Sequence, residues 1–270
     1  MVVDFHTHIF PDAIAERAIA SLEEKCHSNA YTRGRLDELK ASMKNAGIDY
    51  SVVLTVMTKP TQFDNINNAA AEMNGKDGII AFGSLHPQCD DICGKLDRIK
   101  AFGLKGIKLH PDYHDTWIDD PAYVKITDEA IKRGLIVLYH SGWDIAFPDI
   151  HHSSADRVSN LLDILKIDER PEAKIVLAHT GGWSNWDDVE KYLVGRNVYF
   201  DTSLSLPRIS ASQMKRILTD HGCDRILFGT DSPWDEQKQS LQAIKDLELD
   251  AEEIDAIFYK NAFRLLNLTD

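Results

Sequence analysis

His6 and His8 stand two residues apart in the stretch "DFHTH" near the start of the chain. Alternate side chains of a β-strand share a face, so both imidazoles project together from one strand end. Two neutral imidazoles aimed at one point are suited to a metal ion. Further groups of the same kind close later apolar runs: His110 after "GIKL", His140 in "IVLYH", His179 in "IVLAH" and Asp231 in "ILFGTD". Within residues 106–110, Ile107 and Leu109 fall on one face and Lys108 and His110 on the other. The apolar pair suits a helix layer, which turns Lys108 and His110 inward. A buried lysine, histidine or aspartate needs partners to offset desolvation, and a shared cation supplies them. One strand-end histidine is ordinarily a structural residue. Four strands closed by His or Asp, beside the paired His6 and His8, form a pattern that calls for a common purpose.

The elements that would position these groups are short and regular. Eight β-rich apolar runs, "MVVDF", "YSVVLTV", "GIIAFGSL", "LKGIKL", "GLIVLYH", "AKIVLAH", "NVYFDTSL" and "RILFGTD", alternate with segments of helical period. One such segment, "AYVKITDEAIKRG", stops at Gly134, and another, "SSADRVSNLLDILKI", opens on serine caps. This predicts an α/β fold, a distorted (β/α)8 TIM barrel forming a single domain over residues 1–270. An open nucleotide-binding sheet would need a glycine-rich turn after the first strand, where this chain has "HTHIFPD". The last segment, "DAEEIDAIFYKNAFRLLNLTD", reads as a terminal helix closing one end of the barrel.

Composition narrows the partners. A net charge of −13 disfavours nucleic acid. The chain starts without a secretory leader and carries no long apolar run, so no membrane span and a cytoplasmic location are expected. The four cysteines, Cys26, Cys89, Cys93 and Cys223, form no CxxC pair and read as reduced structural thiols. The expected partner is a small molecule, with a homodimer as the default assembly.

The stretches "DFHTHIFP", "GIKLHP", "YHSG", "VLAHTGG", "FDTS", "ILFGTDSPW" and "NAFRLL" resemble the amidohydrolase superfamily, in particular its amidohydrolase-related branch that includes aminocarboxymuconate-semialdehyde decarboxylase. The resemblance runs from residue 2 to about residue 266. It implies a barrel with one divalent metal, zinc first and manganese second. His6, His8, His140 and Asp231 match the ligands, and His179 and Asp231 the catalytic proton carriers. Lys108 matches the position where some relatives carry a carboxylated lysine bridging a second metal; otherwise it would hold a substrate carboxylate. His110 departs from the simplest family pattern and stands as a substrate-binding candidate, a replacement for a usual ligand, or a strand-end structural residue bonded to the loop at Pro111.

The residues themselves lead to the same chemistry. Nitrogen and carboxylate donors with an open position suit a metal that lowers the pKa of bound water. The first expectation is therefore a metal-dependent hydrolase of a small carbonyl compound, an amide, lactone or cyclic amide; the alternative is a non-oxidative decarboxylase of an unsaturated or aromatic acid. A three-metal phosphoesterase and a purely structural metal barrel are weaker rivals. Trp143, Trp183, Trp186 and Trp234 follow the ligand-bearing strands and are candidates to wall a planar substrate, Trp143 foremost. Arg208 is a candidate carboxylate clamp, with a surface role as the alternative. Asp201 is either a partner orienting a ligand histidine or a turn former. His86 reads as the end of the third strand, and His114, His151 and His152 as solvated loop histidines or parts of a lid.

Overall fold

The computed structural model describes residues 1–269. Eight parallel strands follow one another in order around a barrel: β1 Val3–Thr7, β2 Tyr50–Leu54, β3 Ile79–Ser84, β4 Gly106–Leu109, β5 Ile136–Tyr139, β6 Ile175–Leu177, β7 Tyr199–Asp201 and β8 Ile226–Leu227. Every one of the eight apolar runs is a strand. The ladder continues past β8, because Phe5 N donates to Phe228 O at 2.7 Å, Asp231 N to His6 O at 2.8 Å and His8 N to Ser232 O at 2.6 Å. These bonds join the last strand to the first and close the barrel.

The connecting helices are α1 Asp12–Cys26, α2 Leu36–Ala46, α3 Phe63–Met73, α4 Ile92–Ala101, α5 Pro121–Lys132, α6 Ala155–Ile164, α7 Trp186–Tyr192, α8 Ala211–His221 and α9 Gln237–Lys245. Two helices, not one, fill the first crossover. The chain ends with α10 Ala251–Asp255, a π-helical stretch Ala256–Lys260 and α11 Asn261–Leu266.

The apolar residues separate into two cores. Ile107 and Leu109 belong to the outer core, between strands and helices, as alternation along β4 requires. The inner core holds Val3, Phe5, Val52, Leu54, Phe82, Leu138 and Val176 inside the barrel. Phe263, Leu265 and Leu266 of α11 join this inner set, so the terminal helix stops the barrel at the end opposite the strand C-termini. Asn261 has its place there too, donating to Cys223 O and Ile226 O at 2.7 Å each. The four cysteines are all free, and no helix among the described residues is long and apolar enough to cross a membrane.

Candidate metal centre

β1 carries an irregularity that decides where His6 points. Its register against β2 slips between Asp4 and Thr7. Phe5 packs in the inner core, edge-on to Phe82 at 5.9 Å, yet the adjacent His6 also faces inward. A bulge allows this departure from strict alternation. Asp4 turns the other way and fastens β1 to the β8 end: its carboxylate accepts from Thr230 Oγ1 at 2.6 Å, Gln237 Nε2 at 2.7 Å, Thr230 N at 3.0 Å and His6 N at 3.2 Å. Burial pushes the Asp4 carboxyl up to about 7 against those four bonds.

His6, His8 and Asp231 converge. His6 Nε2 lies 3.1 Å from His8 Nε2, and Asp231 Oδ1 lies 3.3 Å and 3.2 Å from the two nitrogens. The opposite ring nitrogens fix the protons. His6 Nδ1 meets the carboxylate of Asp201 at 2.8 Å and His8 Nδ1 the carbonyl of Leu54 at 2.8 Å. Both partners only accept, so both Nδ1 atoms carry hydrogen and both Nε2 atoms present lone pairs. Three acceptors thus face one another, with the Lys108 ammonium 3.4 Å from His6 Nε2 as the nearby donor. Such a set is satisfied by a cation, and its N, N, O composition fits a divalent metal. Burial, then the Lys108 charge, lowers His6 to about 4, so its imidazole is neutral and able to ligate. Burial opposes ionisation of Asp231, but His6, His8 and His179 together hold its carboxyl below the usual range.

Asp201 organises the floor of this centre. Besides His6 Nδ1, it accepts from His179 N at 3.0 Å and Ser203 N at 3.1 Å, and from the Ser203 hydroxyl. Burial raises its carboxyl, and the attractions of His6, His179 and Ser203 overcome that and hold it low. Of the two expectations for Asp201, orienting partner or turn former, the 2.8 Å contact with His6 Nδ1 is the one the first requires.

The remaining groups lie alongside. His179 Nδ1 faces the Ser203 carbonyl at 3.2 Å and the Ser203 hydroxyl oxygen at 3.0 Å, whose one hydrogen goes to Asp201, so Nδ1 donates and leaves Nε2 as an acceptor facing His140 Nδ1 at 3.1 Å. His140 itself is not part of the His6–His8–Asp231 cluster. It groups with His110 and Asp144, whose ligand atoms lie within 4.8 Å of its own, and stacks on His110 with ring centres 4.2 Å apart. Lys108 is wholly buried, and burial lowers its ammonium to about 8 despite Asp201 and Asp231. His179 and Asp231 both have left-handed backbone, with φ of 61° and 65°, and so does Thr180 at 56°. Such angles are uncommon outside glycine and cost of order 1–3 kcal/mol each.

A cavity of about 1320 Å³ opens over these groups, lined among others by Trp143, Trp183, Trp234, Tyr113, Arg208 and Asp235. Trp186 does not reach it; its indole donates to His179 O at 3.0 Å and supports that residue from behind. Arg208 Nη1 stands 3.8 Å from Asp235 Oδ2, and burial raises the Asp235 carboxyl to about 7. His114 and His152 are buried, not solvated: His114 bridges Tyr123 Oη at 2.5 Å and Met57 O at 2.8 Å, and His152 meets Asp112 Oδ1 at 3.0 Å. His86 packs at a tilt of 49° against His114, ring centres 4.4 Å apart, outside the cavity lining. Asp112, Asp144 and Tyr113 had no signal in the sequence, because loop aspartates and tyrosines are common and nothing in their spacing links them to the strand ends.

A (β/α)8 barrel with a histidine–aspartate cation cradle at the C-terminal rim defines a class of metal-dependent barrel enzymes. The family model described as amidohydrolase matches residues 3–268, and the chain belongs to that family. Among solved structures, an uncharacterised TIM-barrel protein of Bordetella bronchiseptica superimposes with a TM-score of 0.78 at 17% identity over 98% of both chains. The 5-carboxyvanillate decarboxylase of Sphingomonas paucimobilis gives 0.74 at 16% over 99% of both. A 5-carboxyvanillate decarboxylase of Novosphingobium aromaticivorans, solved with bound manganese, gives 0.73 at 14% over 99% of this chain and 97% of that one. At these identities the shared property is the fold. No curated protein matches the chain.

Proposed function

We propose that this protein is a non-oxidative decarboxylase of an aromatic or unsaturated carboxylic acid. The observation that carries the reading is the juxtaposition at the cavity floor: an acceptor-only cradle for a cation, the buried Lys108 ammonium 3.4 Å from it, and aromatic walls from Tyr113, Trp143, Trp183 and Trp234 above. A flat molecule bearing a carboxylate suits that combination of charge and shape. Two of the structural neighbours are decarboxylases, which favours this reading over the hydrolysis first expected from the sequence.

His6, His8 and Asp231 would hold a divalent ion, zinc or manganese. When bound, it supplies Lewis-acid stabilisation of negative charge on substrate oxygen. Lys108, and Arg208 at the cavity wall, attract and orient the carboxylate. The Trp and Tyr side chains exclude water from the planar face of the substrate. A proton must be added to the carbon that bears the carboxylate as its bond to that group breaks, giving carbon dioxide and the protonated product. Asp231 and His179 would carry it.

The test is carbon dioxide release from a panel of hydroxylated benzoates and unsaturated acids, run in deuterated water. Deuterium at the vacated carbon is expected. Hydrolysis of amides or lactones with no carbon dioxide from any acid would overturn the proposal.

One observation supports hydrolysis as a second reading. A buried lysine lowered to about 8 has an accessible free amine, the form that reacts with carbon dioxide to make a bridging carbamate. Intact mass heavier by one carbon dioxide, and its loss on bicarbonate depletion, would favour that reading.

A further inference from the structure

The cavity over the cation cradle is larger than a single-ring acid needs. A cleft that encloses a drug-sized ligand measures about 300–1,000 Å³, whereas this one holds about 1320 Å³. The surplus lies among the helices of the first two crossovers, and helical spacing shows how its walls are made. α3 turns Phe63, Asn67 and Ala70 to the barrel, where Asn67 donates to Ser84 O and accepts from Ser84 N, both at 3.0 Å. Ile66, Ala69 and Met73 form the neighbouring stripe, about 100° round the axis. They are half-buried and line the cavity.

In a closed ring of helices that flank would pack on α2. α2 turns Leu39 and Met43 inward, and its own flank, Leu36 and Lys40, lines the same cavity. The two flanks therefore face a common space instead of each other. α1 supplies a third wall. Only Ala15 and Ile19 of its 15 residues are buried, and Ile14, Ala18 and Leu22, one turn apart on an adjacent face, line the cavity too. α3 runs beside this space for 11 residues, about 16 Å.

Charged groups mark its two ends. The cradle and Lys108 stand at the inner end. At the outer end Lys40 Nζ meets Asp77 Oδ2 at 2.6 Å and ties α2 to the turn before β3. Between them the stripes of α1 and α3 carry no charge, and each has an alanine at its middle, Ala18 and Ala69, which keeps the space open. Apolar surface left wet inside a cleft is unfavourable and marks a groove for a ligand.

The geometry points to an amphipathic substrate, an acid whose carboxylate sits at the cradle and Lys108 and whose unbranched alkyl tail lies between α1, α2 and α3. The acid end rests on the decarboxylase reading, and the tail groove on the helix stripes alone.

Protein equilibrated with zinc is titrated calorimetrically with para-alkylbenzoates from methyl to octyl. The dissociation constant is expected to fall about threefold for each added methylene. Ala69→Trp should flatten the series, so that octylbenzoate binds no tighter than methylbenzoate. Met73→Glu leaves the space open but sets a charge in it, and should weaken octylbenzoate about tenfold or more relative to methylbenzoate. Circular dichroism checks that both variants are folded. A flat series in wild type, no binding of any member, or a slope that survives in both variants would overturn the proposal. A flat series together with a dimer that Ala69→Trp dissociates on sedimentation would overturn it in favour of a second copy of the chain in the groove. The slope reads binding alone. A slope with no carbon dioxide released from any acid keeps the groove and sinks the decarboxylase reading, and carbon dioxide release with a flat series does the reverse.

Discussion

Replacing Asp201 by Asn tests how the protein fixes a ligand's proton. Asp201 Oδ1 takes three donors, His179 N, Ser203 N and the Ser203 hydroxyl, while Oδ2 takes His6 Nδ1 at 2.8 Å. An asparagine must keep its carbonyl on the side of the three donors. Its NH2 then faces His6 Nδ1, and two donors meet. The relief is a change of tautomer, with the His6 hydrogen moved to Nε2, the atom facing His8 and Asp231. That removes the lone pair that would bind metal. Loss of an orienting carboxylate of this kind typically costs 10–100-fold in metal affinity, or about 1.4–2.7 kcal/mol. Folding stability should fall by only about 1–2 kcal/mol, since the three hydrogen bonds to Oδ1 survive with a neutral acceptor. Zinc affinity is read by competition with a chromophoric chelator, and stability by urea unfolding of the metal-free protein. A folded Asp201→Asn variant that binds zinc within twofold of wild type would refute the tautomer argument and, with it, the assignment of His6 Nε2 as a ligand atom.

Three other outcomes follow from residues away from that contact. Burial lowers His221 to about 4 and His114 to about 3; both take up a proton more readily unfolded, so the stability they contribute is full above about pH 6.5 and is lost as pH falls toward those values. His221→Gln should therefore flatten the fall in unfolding free energy between pH 6.5 and 4.5 by about 2 kcal/mol, and parallel curves for the two proteins would contradict this. Gly142 has φ of 93° and a Cβ there would meet Trp183 N at 2.2 Å; Gly142→Ala should lower stability by more than about 2 kcal/mol, and a thermal midpoint equal to wild type would count against the close approach. Arg208→Ala should raise KM for an acid substrate about tenfold or more with a smaller change in kcat, the loss of a charge-assisted contact; an unchanged KM would remove Arg208 from substrate recognition.

The barrel was legible because each strand is a short apolar run and each inward polar residue sits at its end. Lys108 could be placed inside from the alternation of Ile107 and Leu109 alone. The inward turn of His6 beside Phe5 was not legible in the same way, since a register slip in β1 produces it and bulges leave no composition signal. The separation of His140 from His6, His8 and Asp231 was hidden for another reason. Which nitrogen of a ring faces which neighbour depends on bonds to Ser203 and to the loop aspartates Asp112 and Asp144, contacts that join residues far apart in the chain. The burial of His114 and His152 was missed because a histidine between loop residues looks solvated until its partners, Tyr123, Met57 and Asp112, are known.

The left-handed backbone at His179 and Asp231 restricts what these positions can become. Only glycine, asparagine, aspartate and histidine enter that region with ease. A branched or bulky side chain would enter there only under strain of order 1–3 kcal/mol, as Thr180 does at φ of 56°. A descendant of this protein that abandoned the reaction would then favour one of those four residues at both places, a trace of the old centre that outlasts its use.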